Sequence, residues 1–128
     1  MSSGAARHAS DAAMPLINVK TSAAAPADPE ALLLELSRTL AALLGKPERY
    51  VMTLLEAGVP MTFAGDATPA CYVTVKSIGA LDGDRPRQLS AAVAQVIERH
   101  LGVPAKRTYL DATDVPARLW GWNGDTFG

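Results

Sequence analysis

The stretch "LGKPERYV" (residues 44–51) returns later in the chain as "LGVPAKRT" (residues 101–108), 57 residues further on. Both stretches read Leu-Gly-x-Pro, followed by charged residues and the start of a strand-like run. Glycine favours the left-handed conformation that ends a helix, and a proline shortly after it prevents the helix from continuing. The repeat therefore marks the same junction, from helix to strand, at two places in one chain.

The segment before each repeated junction has the apolar pattern of an amphipathic helix. Before the first junction, Asp28-Pro29 supplies a capping side chain followed by proline at the first helical position. Apolar side chains then recur at helical spacing: Leu32, Leu33, Leu36, Leu40, Leu43 and Leu44 in the first segment, and Leu89, Val93, Val96, Ile97 and Leu101 in the second. This period predicts two helices that each bury one broad face.

Four short segments have the β-branched and apolar content of strands. They are "LINVKT" (16–21), "YVMTLLEA" (50–57), "CYVTVKSIG" (71–79) and "RTYLDA" (107–112). The order strand, helix, strand thus occurs twice at one separation. We predict an α/β (α+β) fold in which a duplicated βαβ unit forms a four-stranded mixed sheet with both helices on one face.

The predicted sheet has one face that the helices cannot cover. Runs such as "YVMTLL" (50–55) and "CYVTV" (71–75) are apolar at nearly consecutive positions, which is typical of strands buried on both faces. An uncovered apolar face and exposed strand edges need a partner. We therefore predict a homo-oligomer, with C-terminal pieces such as "RLWGWNGDTFG" (118–128) reaching onto a neighbouring subunit.

Length and composition fit one small domain and exclude several classes of function. The 128 residues are 48% apolar, and a net charge of −1 with scattered Lys and Arg indicates neither a nucleic-acid nor a membrane partner. Cys71 is the only cysteine, so no disulfide framework is possible within the chain. His8 and His100 are too far apart to indicate a metal site. No apolar run approaches the length of a membrane span.

The first residues differ in kind from the rest of the chain. Residues 1–14 are mostly small and polar and lack the apolar stretch of a secretory signal, so we expect a disordered N-terminal extension. The extension ends in a second methionine, Met14, and is either removed or the result of a misassigned start codon. We expect residues 15–128 to form the domain, in a cytoplasmic protein for which nonclassical export is left open.

Four motifs, in order on this duplicated frame, resemble one known family. Pro15 follows a methionine, "GKP" occupies 45–47, "SIG" occupies 77–79 and "GWNGDTF" occupies 121–127. Together they resemble the tautomerase superfamily, in the branch of macrophage migration inhibitory factor and D-dopachrome tautomerase, over residues 14–128. The resemblance implies a homotrimer whose sheets wrap into a barrel-like assembly with active sites at the subunit interfaces.

The resemblance also implies a reaction: keto–enol tautomerisation of phenylpyruvate- or dopachrome-type substrates, without a cofactor and with Pro15 as the general base. A proline nitrogen inside a chain is an amide with no basicity. At a free N-terminus it is an amine, for which the reference pKa is about 7.7–8.0, and burial and nearby cations lower that pKa. Such an amine is suited to proton transfer at cellular pH. Judged without the resemblance, Pro15 is a proline that opens an edge strand.

The resemblance assigns three substrate-binding roles and points to one departure. Lys46 and the backbone N–H of Ile78 would hold a substrate carboxylate, and Tyr109 of a neighbouring subunit would meet the substrate ring. Judged alone, Lys46 is a solvated lysine at a helix end and Ile78 a buried residue before a turn. Asp111 also matches a site position, one that is often asparagine in the animal cytokines. A carboxylate there would repel an acidic substrate unless it points away.

Aromatic residues complete the implied site. The resemblance places Tyr50 and Phe63 near its mouth, Trp120 on its apolar wall and Phe127 at the end of the last motif. Trp122, in the same motif, is a second candidate for the wall. For isolated aromatic residues, packing in the core or at an interface is the alternative explanation.

A second function fits the same fold, namely a binding or cytokine-like trimer with little or no catalysis. The state of the N-terminus distinguishes the two, because only a free Pro15 amine supports catalysis; no receptor is indicated. Dehalogenation or decarboxylation ranks last, because no pocket cation besides Lys46 is evident. Cys71 stands alone where the animal cytokine has a CxxC pair, which excludes a two-thiol redox cycle within one chain and leaves a buried strand residue.

Overall fold

A computed structural model describes residues 15–128 of the chain. The expectation that residues 1–14 form a disordered extension concerns a segment outside these described residues. The helices and strands are β1 (Leu16–Thr21), α1 (Pro29–Leu44), β2 (Met52–Glu56), β3 (Cys71–Ser77), α2 (Arg85–Leu101), β4 (Thr108–Asp114), β5 (Gly121–Trp122) and β6 (Asp125–Thr126). Single 3-10 turns at Glu48–Tyr50 and Ala105–Arg107 precede β2 and β4.

The main sheet has the strand order β2-β1-β3-β4. β1 pairs parallel with β2, β3 pairs parallel with β4, and the two central strands, β1 and β3, pair antiparallel. Each parallel pair with its helix is one βαβ unit, and the antiparallel pairing joins the two units about an approximate two-fold relationship. The structure confirms the predicted mixed sheet built from a duplicated unit.

The helices begin and end where the sequence predicts. The Asp28 carboxylate accepts a hydrogen bond from the Ala31 N–H at 3.1 Å, and Pro29 opens α1. The glycines of the repeated junction, Gly45 and Gly102, both end their helices in the left-handed conformation, with φ of 64° and 70°. A side chain at either position would be strained, which explains why the repeat preserves the glycine.

One face of the sheet packs on both helices and forms the core. The core residues share near-zero exposure and come from alternate strand positions, one stripe of each helix and, for Val103, the connection after α2: Ile17, Val19, Val73, Val75, Leu32, Leu36, Leu40, Leu44, Leu89, Val93, Val96, Ile97 and Val103. Cys71 is part of this core, as predicted, with 2% exposure. Burial raises the pKa of its thiol, so the residue behaves as a small apolar side chain.

The opposite face, which we call the helix-free face, is mixed rather than apolar. Large side chains on it are exposed: Met52, Leu54, Tyr72 and Tyr109. Polar and charged side chains alternate with them on the same strands: Asn18, Lys20, Glu56, Lys76 and Asp111. The single chain leaves this face uncovered, so its burial against a partner stays a prediction. The apolar runs of the sequence conceal a two-residue alternation between the faces.

The C-terminal segment folds back on its own chain. β5 and β6 form a short hairpin, and the Phe127 N–H donates to the Trp120 carbonyl at 3.2 Å. The Trp122 and Phe127 rings stack, with an interplanar angle of 5° and centroids 5.9 Å apart. The expected reach of residues 118–128 onto a neighbouring subunit stays a prediction, since the structure describes one chain.

Candidate functional site

Pro15 is buried at one end of the main sheet. It directly precedes β1, and its carbonyl oxygen accepts a hydrogen bond from the Met52 N–H at 3.0 Å, which ties it to the start of β2. On the other side, Leu16 pairs with Lys76, so the end of β3 lies beside Pro15. We call this the Pro15 end of the sheet: β1 and β2 begin there, and β3 and β4 end there.

Lys46 and Tyr50 reach the Pro15 end through the connection from α1 to β2. The Lys46 N–H donates to the Ala41 carbonyl at 3.0 Å, so the backbone at Lys46 is fixed to the last turn of the helix. Tyr50 closes the following 3-10 turn, two residues before the Met52 N–H that bonds to Pro15. Both side chains are half-buried. The predicted grouping of these residues with Pro15 follows from this short, pinned connection.

Ile78 follows β3 directly and lies in a turn fixed on both sides. The next residue, Gly79, has φ +73° and donates its N–H to the Asp114 carboxylate at 2.9 Å. The Val115 N–H donates to the Ser77 carbonyl at 2.9 Å. These two bonds hold the end of β3 to the end of β4, and Ile78, 8% exposed, lies between them. The backbone at Ile78 is therefore held in a fixed turn, and the role of its N–H in binding a carboxylate stays a prediction.

Three aromatic rings form a cluster near the Pro15 end. Tyr50 meets Trp122 edge-to-face, with ring centroids 5.8 Å apart and an interplanar angle of 84°. Trp122 in turn stacks on Phe127. Trp120, which the sequence assigned to the pocket wall, is half-buried and joins this cluster through its carbonyl bond to Phe127. Trp122 is the tryptophan whose ring contacts both neighbours.

Tyr109 and Phe63 lie far from this cluster, at what we call the Tyr109 end of the sheet, whereas Asp111 lies midway along β4, level with Thr74 of β3. Tyr109 pairs with Tyr72, which in turn pairs with Lys20, five residues along β1 from Pro15. Five residues of extended strand span about 17 Å. Pro15 and Tyr109 therefore cannot meet one small substrate within a single chain.

Asp111 is engaged by a neighbouring strand. Its carboxylate accepts a hydrogen bond from the Tyr72 hydroxyl across the helix-free face. This bond, with a smaller effect of desolvation and of the carboxylate charge, raises the pKa of the Tyr72 phenol. The Asp111 carboxylate therefore points toward β3.

Arg107 fixes the loop that carries Phe63. Its guanidinium donates to backbone carbonyls of residues 63, 66, 68 and 69, at 2.8 to 3.5 Å, and lies 3.3 Å from the Asp66 carboxylate. It also lies 5.2 Å from the centre of the Phe63 ring, within cation–π range. One half-buried side chain thus anchors the tip of the loop between β2 and β3 to the start of β4.

The described residues, 15–128, contain no group of three or more His, Cys, Asp or Glu side chains that could hold a metal ion. Across the same residues, no helix combines the length and apolar character needed to cross a membrane. His100, in the last turn of α2, bridges the two helices: its Nε2 lies 2.9 Å from the Glu35 carboxylate, which also pairs with Arg99.

The sequence did not identify Tyr72 or Arg107, and it ranked Trp122 below Trp120 as a candidate for the wall of the site. Tyr72 could have been found, because strand alternation places it on the same face as Tyr109 and Asp111 once the strand order is known. The role of Arg107 depends on a loop with no periodic signal and could not be read from the chain.

The comparisons with known proteins all point in one direction. The sequence pattern of the family described as macrophage migration inhibitory factor (MIF) matches residues 14–128. The chain is 32% identical over 115 residues to the macrophage migration inhibitory factor of Xenopus laevis, an alignment that covers 89% of this chain and 99% of the frog protein.

Solved structures give the same result. A macrophage migration inhibitory factor homologue from Prochlorococcus marinus superposes with a TM-score of 0.87 and 62% identity, covering 88% of this chain and 99% of the other. The macrophage migration inhibitory factor of Toxoplasma gondii superposes with a TM-score of 0.83 and 32% identity, covering 87% and 98%.

Proposed function

This chain belongs to the macrophage migration inhibitory factor family, and from that premise we propose that it is a cofactor-free keto–enol tautomerase. The proposed substrates are small aromatic α-keto acids or their enols, with phenylpyruvate as the test compound. The proposed base is the nitrogen of Pro15, which requires that residues 1–14 be absent from the active form.

The burial of Pro15 at the sheet end carries this proposal. Pro15 is buried, and its carbonyl is fixed to β2 by the hydrogen bond from the Met52 N–H. A free amine held in such an apolar place is more easily deprotonated than one in water, because burial disfavours the ammonium form. A secondary amine fixed in this way needs little reorganisation before it accepts a proton.

Pro15 removes a proton from carbon in the keto-to-enol direction and returns a proton to carbon in the enol-to-keto direction. The neutral Pro15 amine takes a proton from the carbon next to the keto group, and the electron pair of that C–H bond forms the carbon–carbon double bond. The carbonyl oxygen gains the negative charge and takes a proton from solvent to give the enol, while the Pro15 ammonium releases the carbon proton to solvent and becomes neutral again. In the reverse direction the Pro15 ammonium returns its proton to carbon, so the base also acts as the acid.

The substrate carboxylate would be held by Lys46 and by the N–H of Ile78. Lys46 supplies charge from a backbone that is fixed to the end of α1, and Ile78 lies in the turn held by Asp114. The aromatic cluster of Tyr50, Trp122 and Phe127 offers flat apolar surface for the substrate ring.

Completing the site requires a second copy of the chain. Tyr109 lies about 17 Å of strand away from Pro15 and is 65% exposed, so in a single chain it contacts neither Pro15 nor its substrate. We propose a homotrimer in which the Tyr109 end of one subunit meets the Pro15 end of the next. Exposed Met52 and Leu54 on the edge strand would be covered in the same assembly.

Replacing the proposed base tests this function. For Pro15→Gly, in protein whose N-terminus has been identified by intact mass, phenylpyruvate turnover should fall by at least about 100-fold, the usual contribution of a general base. Pro60→Gly, at an exposed loop position, is the matched control and should retain turnover. Unchanged turnover in Pro15→Gly would refute the assignment of the base.

The same mass measurement separates catalysis from the second candidate function. A mature chain that begins at Pro15 supports the tautomerase. A mature chain that retains residues 1–14 has an amide at position 15, and the binding or cytokine-like role would then account for the family fold.

A further inference from the structure

The charge at position 111 conflicts with an acidic substrate. Asp111 and Tyr109 are two residues apart on β4 and lie on the same helix-free face. If Tyr109 enters the site of a neighbouring subunit, the Asp111 carboxylate, two residues further along β4, therefore lies close to that site as well. An α-keto acid is an anion, and like charges repel more strongly in a partly buried seam than in water.

The position of the Asp111 side chain resolves the conflict. Its direct neighbour on β3 is Thr74, whereas Tyr72 pairs directly with Tyr109. The Tyr72 hydroxyl reaches diagonally to the Asp111 carboxylate, a contact that parallel strands allow for long aromatic side chains. The carboxylate is thereby drawn over β3, onto the surface of its own sheet.

Phenylalanine at position 72 could supply nearly all of the packing that the Tyr72 ring provides. The side chain is 39% exposed on the helix-free face, opposite Lys20 on β1 and Tyr109 on β4. Its hydroxyl is the group that contacts Asp111, so the distinctive contribution of tyrosine at this position is the hydrogen bond.

We propose that Tyr72 is a positioning residue that holds the Asp111 carboxylate against β3 and thereby allows the neighbouring site to accept an anionic substrate. The inference rests on the proposed tautomerase function and adds to it a determinant of substrate charge. Tyr72 itself need touch neither the substrate nor Pro15. Without its hydroxyl, Asp111 can rotate toward the substrate, and the site should then disfavour acids while treating neutral esters as before.

The test compares phenylpyruvate with its neutral methyl ester in Tyr72→Phe. We expect kcat/KM for the acid to fall by roughly three- to tenfold, as a carboxylate that approaches by a few ångströms in a medium of intermediate dielectric predicts. The value for the ester should stay within about twofold of wild type, since no charge is repelled. In the background of Asp111→Asn, adding Tyr72→Phe should have no further effect on the acid.

Three results would overturn the inference: equal losses for acid and ester, no loss for either, or a loss for the acid that persists in the Asp111→Asn background. Each would show that the hydroxyl acts on folding or assembly, or not at all. The Kd values of both compounds, measured for the same variants by tryptophan fluorescence, give a readout independent of turnover. Wild-type protein that begins at Pro15 and binds both compounds without converting them would refute the tautomerase, while the Kd values would still decide the role of Tyr72.

Discussion

The Phe63 ring meets the Tyr109 ring edge-to-face, with centroids 4.8 Å apart and an interplanar angle of 64°. Phe63 lies in the loop between β2 and β3, where its backbone forms a reciprocal bridge with Asp66, and Tyr109 lies on the edge strand β4. Arg107 provides the connection, since it precedes Tyr109 by two residues and binds the backbone of the Phe63 loop. Arg107 thus ties the two parts of the aromatic pair to each other.

Replacing Arg107 should loosen both the loop and the aromatic pair. Arg107→Ala leaves several carbonyls without their charged donor, and we expect a loss of about 2–4 kcal/mol in the free energy of unfolding. Phenylpyruvate turnover should fall as well, because Tyr109 loses its support. Urea unfolding and a turnover assay on the same samples measure both effects.

Two variants sharpen this prediction. Lys106→Ala changes the adjacent, exposed residue and should leave stability near the wild-type value. Arg107→Lys keeps the charge but cannot span several carbonyls, so it should behave more like the alanine variant. A fully stable Arg107→Lys protein would show that charge alone is sufficient.

The turn that presents Ile78 depends on Asp114. Asp114→Ala removes the acceptor of the Gly79 N–H, and we expect KM for phenylpyruvate to rise by roughly tenfold with a smaller change in kcat, as for loss of a charged hydrogen bond. Asp114→Asn keeps an oxygen acceptor and should fall between alanine and wild type. If kcat falls while KM is constant, the turn does not act through substrate binding.

The aromatic cluster should select for substrates with a ring. Trp122→Ala removes the ring that contacts both Tyr50 and Phe127, and KM for phenylpyruvate should rise by roughly three- to tenfold. An aliphatic α-keto acid should be affected less. Trp120→Ala is the paired comparison; a larger effect there than at Trp122 would assign the wall to Trp120.

The bridge between the helices predicts an acid-sensitive contribution to stability. Hydrogen bonds from Arg99 and then His100 lower the pKa of Glu35 from 4.5 to about 2. A carboxyl whose pKa is depressed in the folded state stabilises the fold above its unfolded pKa, and that contribution is lost as the pH falls from about 4.5 towards 2.

Glu35→Gln should therefore flatten the stability profile in this acidic window while lowering stability at neutral pH. Chemical unfolding at a series of pH values measures how the free energy of unfolding depends on pH. Glu98→Gln, at an exposed position of α2, serves as the control and should keep the wild-type slope. An unaltered slope in Glu35→Gln would mean that other carboxyls govern acid unfolding.

The fold was predictable because its signals are local. The capping carboxylate of Asp28 and the helix-ending glycines, Gly45 and Gly102, each act within a few residues of chain. The same junction recurs 57 residues further along the chain, and this repetition implied two equal units. The placement of both helices on one face followed from general rules of βαβ connection, whereas the strand order β2-β1-β3-β4 was not predicted.

The site was predictable only in part, because its contacts join distant parts of the chain. The placement of Tyr50 at the Pro15 end follows from strand pairing, whereas the contact between Tyr50 and Trp122 depends on how the C-terminal hairpin folds back; which tryptophan forms the wall stays a prediction. The bond from Tyr72 to Asp111 depends on the register between β3 and β4. A shift of one residue would place the two side chains on opposite faces.

The most direct measurement compares two forms of the protein, one that begins at Pro15 and one that retains residues 1–14, each verified by intact mass and assayed for phenylpyruvate tautomerisation. Our account predicts turnover by the form with the free Pro15 nitrogen and loss of at least about 100-fold in the form with an amide there. Equal turnover by the two forms would contradict it, because the proposed base would then have no basic nitrogen in one of them.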